Sequence, residues 1–336
     1  MALFRFPKIE LAPLNVPFHR RIQTLVLFIF SILHWICLGI FFLFVFHPYL
    51  RPLLLVYLLQ IYFDDACDWG GRPSQWFRGL SFWRILGEYF PAKLHKEAEL
   101  SPENSYIIGY HPHGMYTTGA LISFGTEGLG ISKIFPGVSI HLLTLDLMHR
   151  IPFYREILSF LGCASVSKQS IVNLMGKGPG NAVVIVVGGA QEAMYAKPEL
   201  ADLVLLKRSG FVKLAIQTGS HLVPVFSFGE NAILDQIVLP EGSFFKKCQD
   251  MVHKLLGFTV PIHYGRGIFT YNYGMLSHRR SLNIVVGKPI PVEKDANPAP
   301  EKVMEFHKKY LQALEELYDR NKAKYTQGEA PPLRFI

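Results

Sequence analysis

Charge is missing from one long stretch of this chain: between Ile22 and Phe46 there is no Asp, Glu, Lys or Arg. A helix there, rising about 1.5 Å per residue, would exceed the roughly 30 Å hydrocarbon core of a bilayer. The absence excludes an ordinary surface helix and predicts an uncleaved membrane anchor, because the run is too long for a leader and no small-x-small cleavage site follows it. His34 inside the run reads as a hydrogen-bonded intramembrane residue. Cysteine is scarce as well. Cys37, Cys67, Cys163 and Cys248 lack Cys-x-x-Cys spacing, which excludes a disulfide scaffold and a thiolate zinc site and fits a reduced, cytosol-facing body. Neither a Gly-x-Ser-x-Gly elbow, nor a Gly-x-Gly-x-x-Gly fingerprint, nor a His-Glu-x-x-His pair occurs. A serine acyl-enzyme, a dinucleotide fold and a zincin centre therefore have no sequence support. No nucleic-acid module accompanies the basic charge, so no nucleic-acid partner is expected. Internal repeats and long low-complexity linkers are also absent.

What is present points to lipid. With 336 residues, 50% hydrophobic and only 18% charged, and a formal charge of +8, the chain suits one large α/β domain with an apolar appendage, attracted to anionic phospholipids or a phosphorylated cofactor. A second apolar run, Leu53 to Phe63, stops at Asp64-Asp65 and is separated from the first by Pro48 and Pro52. Proline breaks helix continuity, so the two runs predict a hairpin whose second arm is shallow, kinked or tilted. Arg5, Lys8, Arg20 and Arg21 place the N-terminus on the cytoplasmic side, and a hairpin returns the rest of the chain to that side. The expected organisation is a basic cytosolic N-terminus over 1–21, a membrane-embedded hairpin over 22–63 and a catalytic domain over 64–336.

Beyond Asp64, apolar strands alternate with helical stretches and Gly-rich turns, which argues α/β. Strands are expected at Tyr106 to Tyr110, Val138 to Leu143, Ala182 to Val187, Leu222 to Phe226 and Leu282 to Val286. A packed helix fits Ser209 to Gly219, and Val303, Phe306, Tyr310, Leu314 and Leu317 trace the apolar face of an amphipathic helix from Pro300. Gly176 to Gly180 (GKGPG) lacks the ending of a phosphate loop and reads as a turn.

Two strand ends carry chemistry. The first leads into Tyr110-His111-Pro112-His113-Gly114, and histidine is the side chain suited to take and return a proton near neutral pH. The other leads into Gly188-Gly189-Ala190-Gln191-Glu192. In a parallel sheet such ends share one edge, and a carboxylate can fix the tautomer of an imidazole, which makes Glu192 the expected partner of His113. Lys207, Arg208 and Lys213 at a predicted helix start form an anion site suited to the phosphates of coenzyme A. Zinc on His111 and His113 stays open on the residues alone, as do a noncatalytic scaffold and a solvated basic face.

Three ordered blocks, YHPHG at 110–114, VGGAQE at 187–192 and RSGFVKLAIQTGSHLVPVFSFGEN at 208–231, together with Tyr89-Phe90-Pro91 and VGKPIPV at 286–292, resemble the diacylglycerol acyltransferase 2 family, which includes monoacylglycerol and wax-alcohol acyltransferases. The resemblance implies a glycerolipid-acyltransferase-like α/β sheet with flanking helices behind the hydrophobic hairpin. It implies an enzyme of the endoplasmic reticulum membrane and lipid droplet that joins fatty acyl-CoA to diacylglycerol, with no metal or other cofactor and with homo-oligomerisation left open. His113, His111 and Glu192 map onto the catalytic blocks. Pro112, Gly114, Gly188, Gly189, Arg208, Gly210, Phe211, Lys213, Glu230 and Asn231 map onto positions expected to contact acyl-CoA or acceptor. The related glycerolipid acyltransferases carry an Asp five positions after a His, where this chain has Tyr116 after His111 and Thr118 after His113. The resemblance thus leaves the orienting role to Glu192. In the expected reaction His113 is the general base, His111 and the Gly114 amide shape the turn or the oxyanion site, and Arg208 and Lys213 hold the CoA phosphates.

Overall fold

Continuous apolar runs, as opposed to alternating ones, mark strands covered on both faces, and Tyr106 to His111 forms such a strand, buried along its whole length. The structure, a computed structural model, describes residues 9–13, 15–194, 196–198, 200–237, 239–240, 242–256, 262–326 and 330–336. Its strands are β1 (Lys93–Lys96), β2 (Tyr106–His111), β3 (Ser139–Thr144), β4 (Ala164–Ser165), β5 (Asn181–Val186), β6 (Ala201–Leu203), β7 (His221–Phe228), β8 (Asp235–Gln236), β9 (His263–Tyr264), β10 (Asn283–Val286) and β11 (Leu333–Phe335). All five strands expected from the sequence are among them, with ends shifted by a residue or two.

Seven strands form one sheet in the order β1-β10-β7-β2-β5-β3-β4. The run from β7 to β4 is parallel, β10 is antiparallel to β7, and β1 is parallel to β10. Successive residues of a strand face opposite sides, and the core divides accordingly. Tyr106, Ile108, Tyr110, Val184 and Val225 pack on one face with the helix Ser81–Tyr89. Ile107, Val183, Ile185 and Phe226 pack on the other. Four helices matter below: α1 (Phe18–Phe46), α2 (Arg51–Phe63), α3 (Gly210–Thr218) and α4 (Pro300–Tyr325). Phe211 and Val212 of α3 and Tyr310, Leu314 and Leu317 of α4 fill the second face, whereas Val26 and Leu27 of α1 join the first. The C-terminal amphipathic helix is therefore a packed layer of the domain. The GKGPG stretch is a turn between the helix Lys168–Met175 and β5, with Gly178 and Gly180 at φ +98° and +79°.

Both arms of the hairpin are helical. The 29 residues of α1 span about 43 Å and the 13 of α2 about 20 Å, so only α1 has the length to cross a hydrocarbon core. Trp35, Phe42 and Phe46 on α1 and Leu53, Val56 and Phe63 on α2 are exposed, an apolar surface unsuited to water. Phe153 is gripped by both arms, with ring centroids 5.4 Å from Phe44 and 4.9 Å from Tyr57. At the end of α2, Asp64 pairs with Arg72 at 2.8 Å and with Arg155 at 2.7 Å. Arg20 and Arg21 open α1, and Arg5 and Lys8 lie outside the described residues.

Candidate functional site

The parallel strands β7, β2 and β5 are neighbours whose registers align Tyr110 with both Val225 and Val186. Their carboxyl ends therefore gather three segments distant in sequence: the His111 to Gly114 turn, the Gly188 to Glu192 turn and Gly229 to Asn231. A strand-order switch of this kind opens a crevice at the carboxyl edge.

His113 follows the end of β2 and is half-buried. Its Nδ1 lies 2.9 Å from the Gly114 carbonyl oxygen. A carbonyl only accepts, so Nδ1 carries the hydrogen and Nε2 presents a lone pair. Burial pushes the His113 pKa down, with the Gly114 bond opposing it, and the ring stays neutral at pH 7. The Gly114 backbone, at φ +61°, and its missing side chain are both required, since a Cβ there would stand 2.7 Å from Cγ of Glu230.

Glu192 does not hold the imidazole as expected. Its Oε1 accepts the backbone N–H of His113 at 2.5 Å and its Oε2 accepts the N–H of Val204 at 2.9 Å. The expected carboxylate–imidazole pair is replaced by a carboxylate that fixes the backbone of the turn. Gly188 permits this, because a Cβ on it would collide with the Glu192 carboxylate, and Gly189 turns the chain at φ +60°. Burial pushes the Glu192 pKa up to about 7 against the downward pull of the two amides.

His111 is not at the crevice. It is fully buried, its Nε2 is 2.9 Å from the Tyr310 hydroxyl, and burial pushes its pKa down to about 3. Tyr310 also donates to the Gly109 carbonyl at 3.2 Å, and any Cβ at 109 would collide with that hydroxyl. A neutral imidazole sealed between β2 and α4 packs the helix onto the sheet and cannot shape an oxyanion site.

Two more expected contacts are core residues. Glu230 is buried and accepts from Tyr110 Oη at 2.7 Å, Ser227 Oγ at 3.1 Å and the Gly119 N–H at 3.1 Å. Its oxygens are engaged in holding the chain after the histidine turn, leaving no substrate contact. Phe211 is buried with its ring 4.9 Å from Tyr310, so it packs α3 inward. The remaining positions stay at the edge. Pro112 and Asn231 line a small depression of about 70 Å³ with Leu200 and Phe226, and Asn231 Nδ2 donates to the Leu200 carbonyl at 3.1 Å. Arg208, Gly210 and Lys213 are exposed at the start of α3, and Arg208 Nη2 comes within 3.5 Å of Gln191 Oε1. The basic cluster thus lies beside the turn that carries Glu192. Tyr310, Gly109, Tyr110 and Ser227 were not visible as site residues in the sequence. The one available signal was the Tyr110 side chain immediately before the histidines.

A sequence profile of the diacylglycerol acyltransferase family matches residues 42–335. The chain belongs to that family. It is 42% identical to diacylglycerol O-acyltransferase 2A of Umbelopsis ramanniana over 98% of this chain and 94% of that one. It is also 41% identical to 2-acylglycerol O-acyltransferase 1 of Bos taurus, over 98% and 99% respectively. Among solved structures, the 1-acyl-sn-glycerophosphate acyltransferase PlsC from Thermotoga maritima aligns over 91% of this chain and 97% of its own at 10% identity, with a TM-score of 0.42, a loose likeness on which nothing below rests.

The seat of Glu192 in this acyltransferase yields a prediction. Glu192→Gln keeps one acceptor oxygen and turns an NH₂ toward the second amide, leaving a buried donor unpaired at about 1–3 kcal/mol. Thermal unfolding in detergent should show that loss, with a smaller fall in turnover. Between its ordinary value of 4.5 and about 7, native Glu192 keeps a proton that the unfolded chain has lost. Its contribution to stability therefore declines as pH rises through that window and is gone above it. The Gln variant should lack this slope; an unchanged slope would assign the titration to another group.

Proposed function

We propose that this acyltransferase moves a fatty acyl group from acyl-CoA to the free hydroxyl of diacylglycerol in one direct step. The hydroxyl proton passes to Nε2 of His113 as the oxygen attacks the thioester carbonyl. The carbon–sulfur bond then breaks, and the thiolate of coenzyme A takes the proton back from Nε2. The observation that carries this reading is the Nδ1 bond to the Gly114 carbonyl, which leaves Nε2 basic at the carboxyl edge of the sheet. Glu192 acts through the backbone, holding the turn where the imidazole must stand. Arg208 and Lys213 are the cations available for the CoA phosphates, and Pro112, Gly114 and Asn231 border the acceptor. No metal or redox cofactor enters the step. The fold is that of a glycerolipid acyltransferase, with residues 22–63 embedded in the endoplasmic reticulum or lipid-droplet membrane and 64–336 on the cytosolic side. Arg20 and Arg21 at the start of α1, and the contact of both arms with Phe153 of the body, support a shallow hairpin that keeps the body on the N-terminal side.

Labelled acyl-CoA offered in parallel with diacylglycerol, monoacylglycerol and a long-chain alcohol should give triacylglycerol as the main product. A larger wax ester or diacylglycerol product would reassign the acceptor, and no transfer to any of them would end the proposal. Tags at both ends should be digested by protease added to sealed microsomes. Protection of the C-terminal tag alone would mean a lumenal active site.

A further inference from the structure

A cleft of about 710 Å³ lies away from the histidine turn, between the start of α1 and the segment 266–280. It is lined by Arg20, Arg21, Arg266, Arg279 and Arg280, and no Asp or Glu is among its lining residues. Arg20, Arg266, Arg279 and Arg280 make no ion pair with a carboxylate among the described residues, although others in the chain do. The cluster is built into the fold. Gln23 of α1 accepts from Arg279 Nη1 at 2.5 Å, and the same guanidinium lies 4.3 Å over the Tyr89 ring. Arg266 is buried and sits 5.0 Å over Tyr271. Burial, together with the like charges of Arg20 and Arg266, lowers the pKa of Arg279, so a bound anion would relieve repulsion within the cluster. Apolar side chains share the lining. Ile268 and Phe269 are exposed there, and Leu25 and Phe28 of the apolar helix α1 form part of the wall.

Guanidinium groups recognise phosphate oxygens in forked geometry, and exposed aromatic and aliphatic tips beside a long apolar helix suit a bilayer surface. From these observations we propose that the cleft binds the phosphate group of a fatty-tailed anion, with its tail lying along α1. Two sources share that chemistry: the headgroup of an anionic phospholipid such as phosphatidic acid, and acyl-CoA itself. Only the acyl-CoA arm rests on the acyltransferase reading, and direct binding without turnover keeps its failure separate from failure of that reading.

The test uses the full chain in phosphatidylcholine nanodiscs with and without phosphatidic acid, and compares the wild type with the Arg20→Gln/Arg280→Gln double variant, both sites being exposed. Removing two guanidiniums should weaken binding of one phosphate source on the order of tenfold. A fall confined to phosphatidic acid assigns the headgroup, and a fall confined to acyl-CoA assigns the substrate. A charge-matched Lys133→Gln/Lys308→Gln variant, also exposed, should leave both affinities unchanged. Equal losses in this control, or unchanged affinity for both ligands in the arginine variant, would overturn the proposal.

Discussion

His113→Ala should lower acyl transfer by about 10² to 10⁴-fold, the usual worth of a positioned general base, or roughly 3 to 5 kcal/mol of barrier. Expression, membrane insertion and melting temperature should hardly change. The bond that secures the turn runs from the His113 backbone N–H to Glu192, and alanine keeps it. Turnover in the wild type should fall on the acid side as His113 takes a proton. Because burial lowers that pKa, the acid limb should lie below the ordinary imidazole value, and it should vanish from the residual rate of the variant. His111→Ala should behave in the opposite way. It removes a fully buried ring that contacts Tyr310, so its main effect is on stability, through the cavity left between β2 and α4. Near-wild-type turnover for His113→Ala, or a stable His111→Ala with turnover equally abolished, would reverse the roles given to the two rings.

These two histidines show where the sequence stops being informative. Both lie in one short motif, and local reasoning cannot separate them. Gly109 and Tyr310 separate them, since the missing Cβ on one admits the hydroxyl of the other, and their contact joins positions about two hundred residues apart. The turn glutamates pose the same problem. Glu192 and Glu230 both follow strands and glycines, yet Glu192 bonds two backbone amides and Glu230 closes a buried network with Tyr110 and Ser227. Sequence spacing placed Glu192 at the correct edge but could not tell the imidazole from the backbone as its target. Strands β2, β5 and β7 were legible because burial on both faces writes a continuous apolar run. The edge strand β1 reads Lys-Leu-His-Lys and is partly exposed, so hydrophobicity gives it no signal. The arginine cleft was out of reach for a similar reason: its members come from residues 20–21 and 266–280, and only the fold brings them together.

The junction of hairpin and body should fail when Asp64 is removed. The side chains of Asp64 and Arg155 are only 5% and 6% exposed, and their nitrogen and oxygen stand 2.7 Å apart. Arg72 and Arg155 hold the Asp64 carboxyl well below the usual carboxylate range against the opposing effect of burial. Its contribution to stability is therefore full above the unfolded carboxylate value and is lost as pH falls through the depressed one. In Asp64→Ala the Arg155 guanidinium keeps Glu156 at 2.8 Å but loses its more deeply buried partner. Stranding a buried charge costs about 3 kcal/mol or more, whereas the exposed Arg72 side of the pair adds little. The expected result is a lower melting temperature and faster proteolysis at the end of α2, with catalysis at His113 unchanged in the protein that remains folded. Asp64→Leu combined with Arg155→Leu should recover part of the loss, because the buried guanidinium goes with its buried carboxylate and only the more exposed Glu156 and Arg72 lose a partner. If Asp64→Ala melts with the wild type, this ion pair is not what fastens the hairpin, and the grip of Phe44 and Tyr57 on Phe153 together with the burial of Val26 and Leu27 must hold it.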